Sequence, residues 1–204
     1  MMVVEDQIQL MGQRIGAQRF EGLLSRLDDC GSAGDALRLL RSSEFFRGLV
    51  ERQIDWLETE AQLKANTIDY ITAVHKRSAA TLQPTEATLM SSLRVMRQRA
   101  MLHILWRSFT QRAMGLDDTL VAMSDLADFV IREAVRIAEA TVGTRFCEPI
   151  GEDSKTRQHL IVVGMGKLGG RELNLSSDID IIFVYDEPGV TEGCLLYTSD
   201  AADE

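Results

Sequence analysis

The chain has 204 residues, which is enough to bury a substantial core in one large domain or two small ones. Apolar residues make up 45% and charged residues 26%, the balance of an ordinary globular protein rather than of a disordered or fibrous one. The formal net charge of −9 argues against a general nucleic-acid-binding role, because a phosphate backbone requires a basic face.

The same composition bears on the cellular compartment. No apolar run is long enough to cross a bilayer, so we expect no membrane association. The first ten residues contain two acids and lack the basic-then-apolar layout of a secretory signal. The three cysteines, Cys30, Cys147 and Cys194, are odd in number and far apart, and they indicate neither a metal finger nor a disulfide framework. We therefore predict a cytoplasmic protein.

Apolar residues recur at intervals of three and four from about residue 4 to residue 145, which predicts a helical domain over residues 1–156. One apolar stripe runs from Phe20 to Leu27 and ends before Gly31. A second runs from Phe45 to Leu57, and Ser42 and Ser43 before it are candidate N-caps. A further helix is predicted over residues 61–80.

Two long helices complete this domain. The first opens at Pro84–Thr85 and ends at Gly115, and the second starts at Asp117 and ends before Gly143. Trp56 and Trp106 lie on apolar stripes and are predicted to be in the core. The histidines show no metal-ligand spacing; they are His75, His103 and His159.

The first long helix is unusually basic for an acidic chain. Its arginines are Arg94, Arg97, Arg99, Arg107 and Arg112. We interpret them as a solvated face paired with acids of the next helix, since charge on helices is usually surface charge. Those acids are Asp117, Asp118, Asp125, Asp128, Glu133 and Glu139. The alternative is that the arginines face a nucleotide or an acidic partner.

The pattern changes after the helices. Residues 149–154 are polar, contain structure breakers and are predicted to be a linker. Residues 159–164 and 179–185 have the composition and length of strands, and residues 168–175 leave room for about two helical turns between them. The expected fold class is α + α/β, with a β-α-β start of a second domain at residues 157–193.

One short run carries the chemistry. A strand leads into the glycine-rich turn Gly164–Gly170, and Asp178 and Asp180 follow, separated by one isoleucine. On a strand these two carboxylates point to the same face, where they repel each other unless a cation lies between them. Magnesium prefers such oxygen ligands and commonly acts together with substrate phosphates, for which a glycine turn is suited. The run predicts a metal-dependent nucleotide site.

Two other glycine motifs fit less well. Gly164–Gly169 spells G-x-G-x-x-G, and Asp186 follows at about the distance of the acid in a dinucleotide fold. However, the next strand begins too soon for a crossover helix to return to a parallel sheet. A G-x-x-x-x-G-K-[ST] loop also fails, because Leu168 stands where the metal-binding hydroxyl residue is needed.

The third pattern is that of nucleotidyltransferases, in which a small turn precedes D-x-D by about ten residues. Residues 163–183 closely resemble the family of bifunctional glutamine synthetase adenylyltransferase/adenylyl-removing enzymes, and in particular the first of their two nucleotidyltransferase domains. Residues 93–107 and 126–128 also look like the N-terminal region of that family. Lys167 stands where a serine is commoner, but lysine also binds phosphate.

The resemblance implies a helical domain followed by the truncated start of a polymerase-β-like nucleotidyltransferase domain. It assigns Asp178 and Asp180 to Mg²⁺ and makes Gly166, Lys167, Gly169 and Gly170 the phosphate-facing turn. Ser176 and Ser177 would orient the aspartates or contact a phosphate, or else form a local turn hydrogen bond.

The resemblance also implies a reaction and partners. The domain would remove AMP from a tyrosine of glutamine synthetase with phosphate as acceptor, ATP or ADP being the nucleotide, and a PII signal protein would be a further partner. Alternatives are a module that only docks glutamine synthetase or PII through its helices, and a different nucleotidyltransferase-fold protein.

Two features depart from the complete pattern. Two-metal nucleotidyl transfer usually needs a third carboxylate on a later strand, which this chain lacks, so we expect it to be a fragment without turnover of its own. Residues 194–204 leave the family pattern and are interpreted as an anomalous, non-native tail, so their acids are not counted as the missing ligand.

Overall fold

The computed structural model describes residues 4–59, 85–110 and 114–191. Its first part is helical: α1 Val4–Ile15, α2 Ala17–Asp29, α3 Asp35–Ser42, α4 Glu44–Arg52, α5 Ile54–Thr59, α6 Glu86–Thr110 and α7 Leu116–Phe146. The helix predicted over residues 61–80 lies outside the described residues. The other helical stripes all correspond to helices, and the predicted helical character of the N-terminal part is confirmed.

Helix boundaries follow local chemistry in most places. Ser43 caps α4, because its Oγ accepts a hydrogen bond of 3.1 Å from the Phe46 N–H, as predicted. The stripe from Phe45 to Leu57 is divided, however, into α4 and α5 at Gln53. At the other end of the domain, α7 continues past Gly143 to Phe146, since one glycine inside a long helix costs only about 1 kcal/mol.

The helices share one apolar core. Phe46 and Trp106 stack at its centre with ring centroids 6.4 Å apart, and neither ring is exposed. Trp56 is also buried, so both tryptophans are core residues as predicted. Leu168 and Leu173, which come after the strands begin, belong to the same buried cluster. The apolar core therefore extends from the helices into the second part of the chain.

The second part contains two small antiparallel sheets. β1 Pro149–Gly151 pairs with β4 Gly189–Thr191, and β2 Ile161–Gly164 pairs with β3 Ile181–Val184. A single helical turn, α8 Gly166–Gly169, lies between β2 and β3. In the β2–β3 pair, Gly164 is opposite Ile181. This register brings the start of β3 to the end of β2, next to the glycine turn.

The segment at residues 149–154 is not the linker that its composition predicted. It contains β1, and the turn after β1 is held by Glu187, whose carboxylate accepts hydrogen bonds from the Asp153 N–H at 2.7 Å and the Ser154 N–H at 3.1 Å. A hydrogen bond from the Ser154 side chain, together with these backbone bonds, lowers the pKa of Glu187 below its usual range. Turn residues look alike in sequence whether they link domains or join paired strands.

The arginines of α6 do not pair with the acids of α7 in the way predicted. Arg99 instead donates to Gln53 Oε1 at 3.0 Å and lies over the Trp56 ring. The acids have other partners: Asp125 and Asp128 pair with Arg171, Glu133 pairs with Arg136, and Glu139 accepts from the Leu160 N–H. Arg112 lies outside the described residues.

Two observations concern the apolar character of the helices and the cysteines. Among the described helices, none combines the length and the apolar character needed to cross a membrane. Cys30 is a free thiol. The cytoplasmic location stays a prediction.

Candidate nucleotide site

The glycine turn after β2 depends on its glycines for steric reasons. Gly166 has φ +52°, a left-handed conformation that other residues rarely adopt. A Cβ on Gly169 would lie only 2.6 Å from the carbonyl oxygen of Gly164, so the two backbone segments approach each other too closely for a side chain. The turn therefore packs tightly against the end of β2 while its outer side, including Lys167, remains exposed.

The helix predicted at residues 168–175 is shorter than expected and begins earlier. It consists of the single turn α8, which ends at Gly169, and Arg171, two residues later, has φ +58°. The Arg171 N–H donates to Leu168 O at 3.0 Å, and the Glu172 N–H donates to Lys167 O at 2.7 Å. These bonds close the turn, and the chain then runs in an irregular path toward the aspartates.

The two aspartates lie directly before β3 rather than on it, because the strand begins at Ile181. The strand period used to align them therefore does not apply, and both residues are exposed. The Met165 N–H donates to the carbonyl oxygen of Asp180 at 2.9 Å. A Cβ on Gly166 would lie 4.0 Å from Asp180 Oδ2. The fold thus brings the glycine turn and Asp180 together.

The donor set is compatible with magnesium but incomplete. Within the described ranges, the carboxylates of Asp178 and Asp180 have no hydrogen-bond or ion-pair partner. Carboxylate oxygens are the ligands that Mg²⁺ prefers, with water and phosphate completing the coordination. Among these same residues, no group of three or more acids, histidines or cysteines is placed to hold a metal ion. In the described part of the chain, Asp178 and Asp180 are therefore the acidic side chains available to a cation at this site.

The two serines differ in their surroundings. Ser176 is exposed, whereas Ser177 is half-buried. The Ser177 hydroxyl donates to Asn174 Oδ1, and its N–H donates to Asn174 O at 3.3 Å. Ser177 therefore makes a local turn hydrogen bond, which was one of the roles predicted for it.

Helix α7 contacts the glycine turn and the residues after it, and the sequence did not predict these contacts. Leu168 and Leu173 are buried in the shared core, and the Leu173 N–H donates to Ser124 Oγ at 3.2 Å. Arg171 pairs with Asp125 at 2.6 Å and with Asp128 at 3.8 Å. The Asp125 hydrogen bond raises the pKa of the Arg171 guanidinium above its usual value. The one available signal was the spacing of Asp125 and Asp128, which lie three residues apart on one helix face.

A second contact joins α7 to the start of β2. Glu139 Oε1 accepts from the Leu160 N–H at 3.0 Å, and Oε2 lies 3.3 Å from His159 Nδ1. Burial acts to raise the pKa of Glu139, but the two hydrogen bonds outweigh it and the pKa lies below its usual range. A cavity of about 370 Å³ separates α7 from β2, lined by Arg132, Arg136, Val162 and Leu168 among others.

The sheet geometry excludes the dinucleotide alternative. That fold requires two parallel strands joined by a crossover helix, whereas β2 and β3 are antiparallel and joined through one helical turn. Asp186 accordingly has no role as a ribose ligand.

Comparison with known proteins agrees with the resemblance. The family model described as glutamate-ammonia ligase adenylyltransferase matches residues 33–201. This range includes most of the segment 194–204, whose origin stays a prediction. The bifunctional glutamine synthetase adenylyltransferase/adenylyl-removing enzyme of Ralstonia nicotianae is 37% identical over 158 residues, covering 76% of this chain and 16% of the relative.

Enzymes with the same name from other bacteria are more similar over shorter ranges. The one from Pseudomonas putida is 48% identical over 117 residues, covering 56% of this chain and 12% of the relative. The one from Thioalkalivibrio sulfidiphilus is 47% identical over 108 residues, covering 53% of this chain and 11% of the relative. This chain thus spans 11–16% of the length of these three relatives.

Proposed function

The chain belongs to the glutamate-ammonia ligase adenylyltransferase family, and from this premise we propose that residues 164–180 form a magnesium-dependent nucleotide site that acts on glutamine synthetase. The observation that supports the proposal is the junction of the glycine turn with Asp180. There the Met165 N–H bonds to Asp180 O at 2.9 Å, and Gly166 faces the Asp180 carboxylate. A phosphate and a divalent cation would be neighbours at such a junction.

The residues of the turn would bind the phosphate. The first hydrogen bond of α8 is donated by the Gly169 N–H to Met165 O at 3.2 Å, so the N–H groups of residues 166–168 precede the helical bonding. Gly166, Gly169 and Gly170 allow a phosphate to approach the backbone, and exposed Lys167 adds a positive charge. Ser176 would contact the phosphate or orient the aspartates, and Ser177 would fix the loop through Asn174.

Asp178 and Asp180 would hold Mg²⁺. Their exposure and their lack of partners within the described part leave four carboxylate oxygens available to a cation. When bound, the metal would neutralise charge on the attacking and leaving oxygens of an in-line phosphoryl transfer. The contribution of the chain itself would be to position the nucleotide phosphate beside these carboxylates.

We further propose the adenylyl-removing reaction for this site, on the resemblance of residues 163–183 to the first nucleotidyltransferase domain of the family. An oxygen of inorganic phosphate would attack the phosphorus of the adenylylated tyrosine, the bond from phosphorus to the tyrosine oxygen would break, and ADP would leave while the tyrosine oxygen takes up a proton. Glutamine synthetase is part of the names of the relatives and is the proposed protein substrate. A PII protein is a proposed regulator on the resemblance alone.

Titration calorimetry of ADP into the chain, with and without Mg²⁺, tests the nucleotide site. We expect Mg²⁺-dependent binding, weakened at least roughly tenfold in the D178N/D180N variant because the metal loses its charged ligands. Asp186→Asn is the matched control: Asp186 is an exposed aspartate two residues after β3, and this variant should bind as the parent does. Binding that is independent of magnesium, or equal loss in the control, would overturn the proposal.

A further inference from the structure

The contact between helix α7 and the segment after the glycine turn combines a buried and an exposed part. In the buried part, Ser124 Oγ accepts from the Leu173 N–H at 3.2 Å and donates to Leu120 O at 2.9 Å. Ser124 and Leu173 are only 1% and 3% exposed. In the exposed part, Arg171 reaches the carboxylates of Asp125 and Asp128. We call these five residues, Ser124, Asp125, Asp128, Arg171 and Leu173, the α7 anchor.

The anchor is connected to the proposed site through the backbone. The Arg171 N–H and the Glu172 N–H donate to carbonyl groups of α8, so movement of the anchored segment moves the turn. On its other side the turn bonds to Asp180 through the Met165 N–H. Hydrogen bonds and the backbone segments between them thus connect Ser124 and Asp125 through the turn to Asp180.

The two parts of the anchor oppose two unfavourable features. A buried N–H such as that of Leu173 needs a hydrogen-bond acceptor, because leaving it without one costs free energy. Arg171 has φ +58°, a conformation disfavoured for arginine that persists only where the surroundings hold it. Its ion pairs to α7 supply that constraint. Without the anchor, the Leu173 N–H would lose its acceptor and the left-handed backbone at Arg171 would lose its constraint. The segment would then be free to change its orientation.

We propose that Ser124 and Arg171 are positioning residues that hold the glycine turn in the orientation required to bind a nucleotide phosphate beside Asp180. This inference rests on the proposed function of residues 164–180. It makes α7, which carries no residue of the proposed site, a determinant of nucleotide affinity.

Two variants test the anchor, each with two readouts. Ser124→Ala removes the acceptor of the Leu173 N–H, and Arg171→Asp places a like charge opposite Asp125 and Asp128 while tolerating the left-handed backbone. We expect each to accelerate amide hydrogen exchange of Gly169, Gly170 and Glu172 roughly tenfold and to weaken Mg²⁺-dependent ADP binding roughly tenfold, the loss that one hydrogen bond produces.

The controls separate positioning from a general loss of stability. Ser108→Ala removes a hydroxyl pair between α6 and α7, Ser108 Oγ to Thr119 Oγ1 at 2.7 Å, away from the turn. Arg136→Ala removes an ion pair to Glu133 on the same helix. Both should leave the two readouts within twofold of the parent. In the D125R/R171D variant the ion pair is reversed, and both readouts should recover.

The outcomes distinguish this inference from the proposed function. Hydrogen exchange needs no nucleotide, so unchanged exchange at the turn in the S124A and R171D variants overturns the anchor whether or not ADP binds. Faster exchange with undiminished ADP affinity also overturns it, since the turn would then move without consequence for binding. A parent chain that binds no ADP overturns the proposed function.

Discussion

Residues 4–146 and residues 149–191 bury their apolar side chains very differently. In the helices, Leu40, Phe46 and Trp106 have no exposed surface at all. In the sheets, Phe183 is 58% exposed and Tyr185 is 67% exposed. A two-stranded sheet is at best marginally stable on its own, and this region contains two of them.

The difference shows that the candidate site depends on the helices for its stabilising contacts. The glycine turn and the start of β2 are held by α7, through Leu168, Leu173, Arg171 and Glu139. The helical part has a core of its own, whereas the site region obtains its main buried contacts from the helices. Changes in the helical core should therefore disturb both regions, and changes in the sheets should disturb only one.

The largest effect is expected at the centre of the helical core. Trp106→Ala should lower the free energy of unfolding by about 3–5 kcal/mol, because it removes a fully buried ring that stacks on Phe46. Denaturation in urea followed by circular dichroism measures this. Phe109→Ala, three residues further along α6 and 61% exposed, is the control and should change the free energy by less than about 0.5 kcal/mol. Equal losses would contradict a core centred on Trp106.

A pH-dependent effect is expected from His103, also on α6. His103 is 2% exposed, and its ring nitrogens have no hydrogen-bond partner in the part of the chain that the structure describes. Burial, and to a smaller extent the nearby charge of Arg107, lower its pKa to about 4. Between pH 6.5 and 4 the unfolded chain binds a proton there that the folded chain does not. Stability should therefore fall as the pH decreases through this window, by about 3 kcal/mol in total.

Urea titrations at a series of pH values measure the contribution of His103. His103→Leu should flatten the decline between about pH 6.5 and 5, a range above the pKa of ordinary carboxyl groups. The control is His159→Gln, at a mostly exposed side chain, which should retain the decline of the parent. A decline that survives in the His103 variant would show that the buried ring is not its source.

A smaller and local effect is expected where the two regions meet. Leu168→Ala should cost about 2 kcal/mol, the lower end for a buried leucine, since the short turn can partly relax. Hydrogen exchange should show faster exchange at residues 164–172 and little change in α2–α4. Val163→Ala, on neighbouring β2 and 42% exposed, should leave the turn nearly unchanged. Exchange that rises equally throughout the helices would mean that the regions unfold as one unit.

Local patterns predicted the elements whose stabilising contacts are themselves local. The helical stripes, the Ser43 cap and the burial of both tryptophans follow from side-chain period and capping chemistry, which act within a few residues. The glycine turn was recognisable for the same reason. Three of the predictions that were wrong concern boundaries set by distant partners: the division at Gln53, the strand at residues 149–151, and the single turn of α8. A fourth, the pairing of the α6 arginines with the α7 acids, concerned the partners themselves.

The sequence by itself determined the family, the helical character of the first part and the order of glycine turn and aspartates along the chain. The tertiary structure decided which groups meet. It joined Arg171 to Asp125, Leu173 to Ser124 and Met165 to Asp180, and it moved the aspartates from β3 to the segment before it. The contacts of α7 with the segment after the glycine turn connect residues up to 49 positions apart. A side-chain period of two or 3.6 residues predicts local structure, but it does not specify which of several acids or hydroxyls will contact a given distant partner.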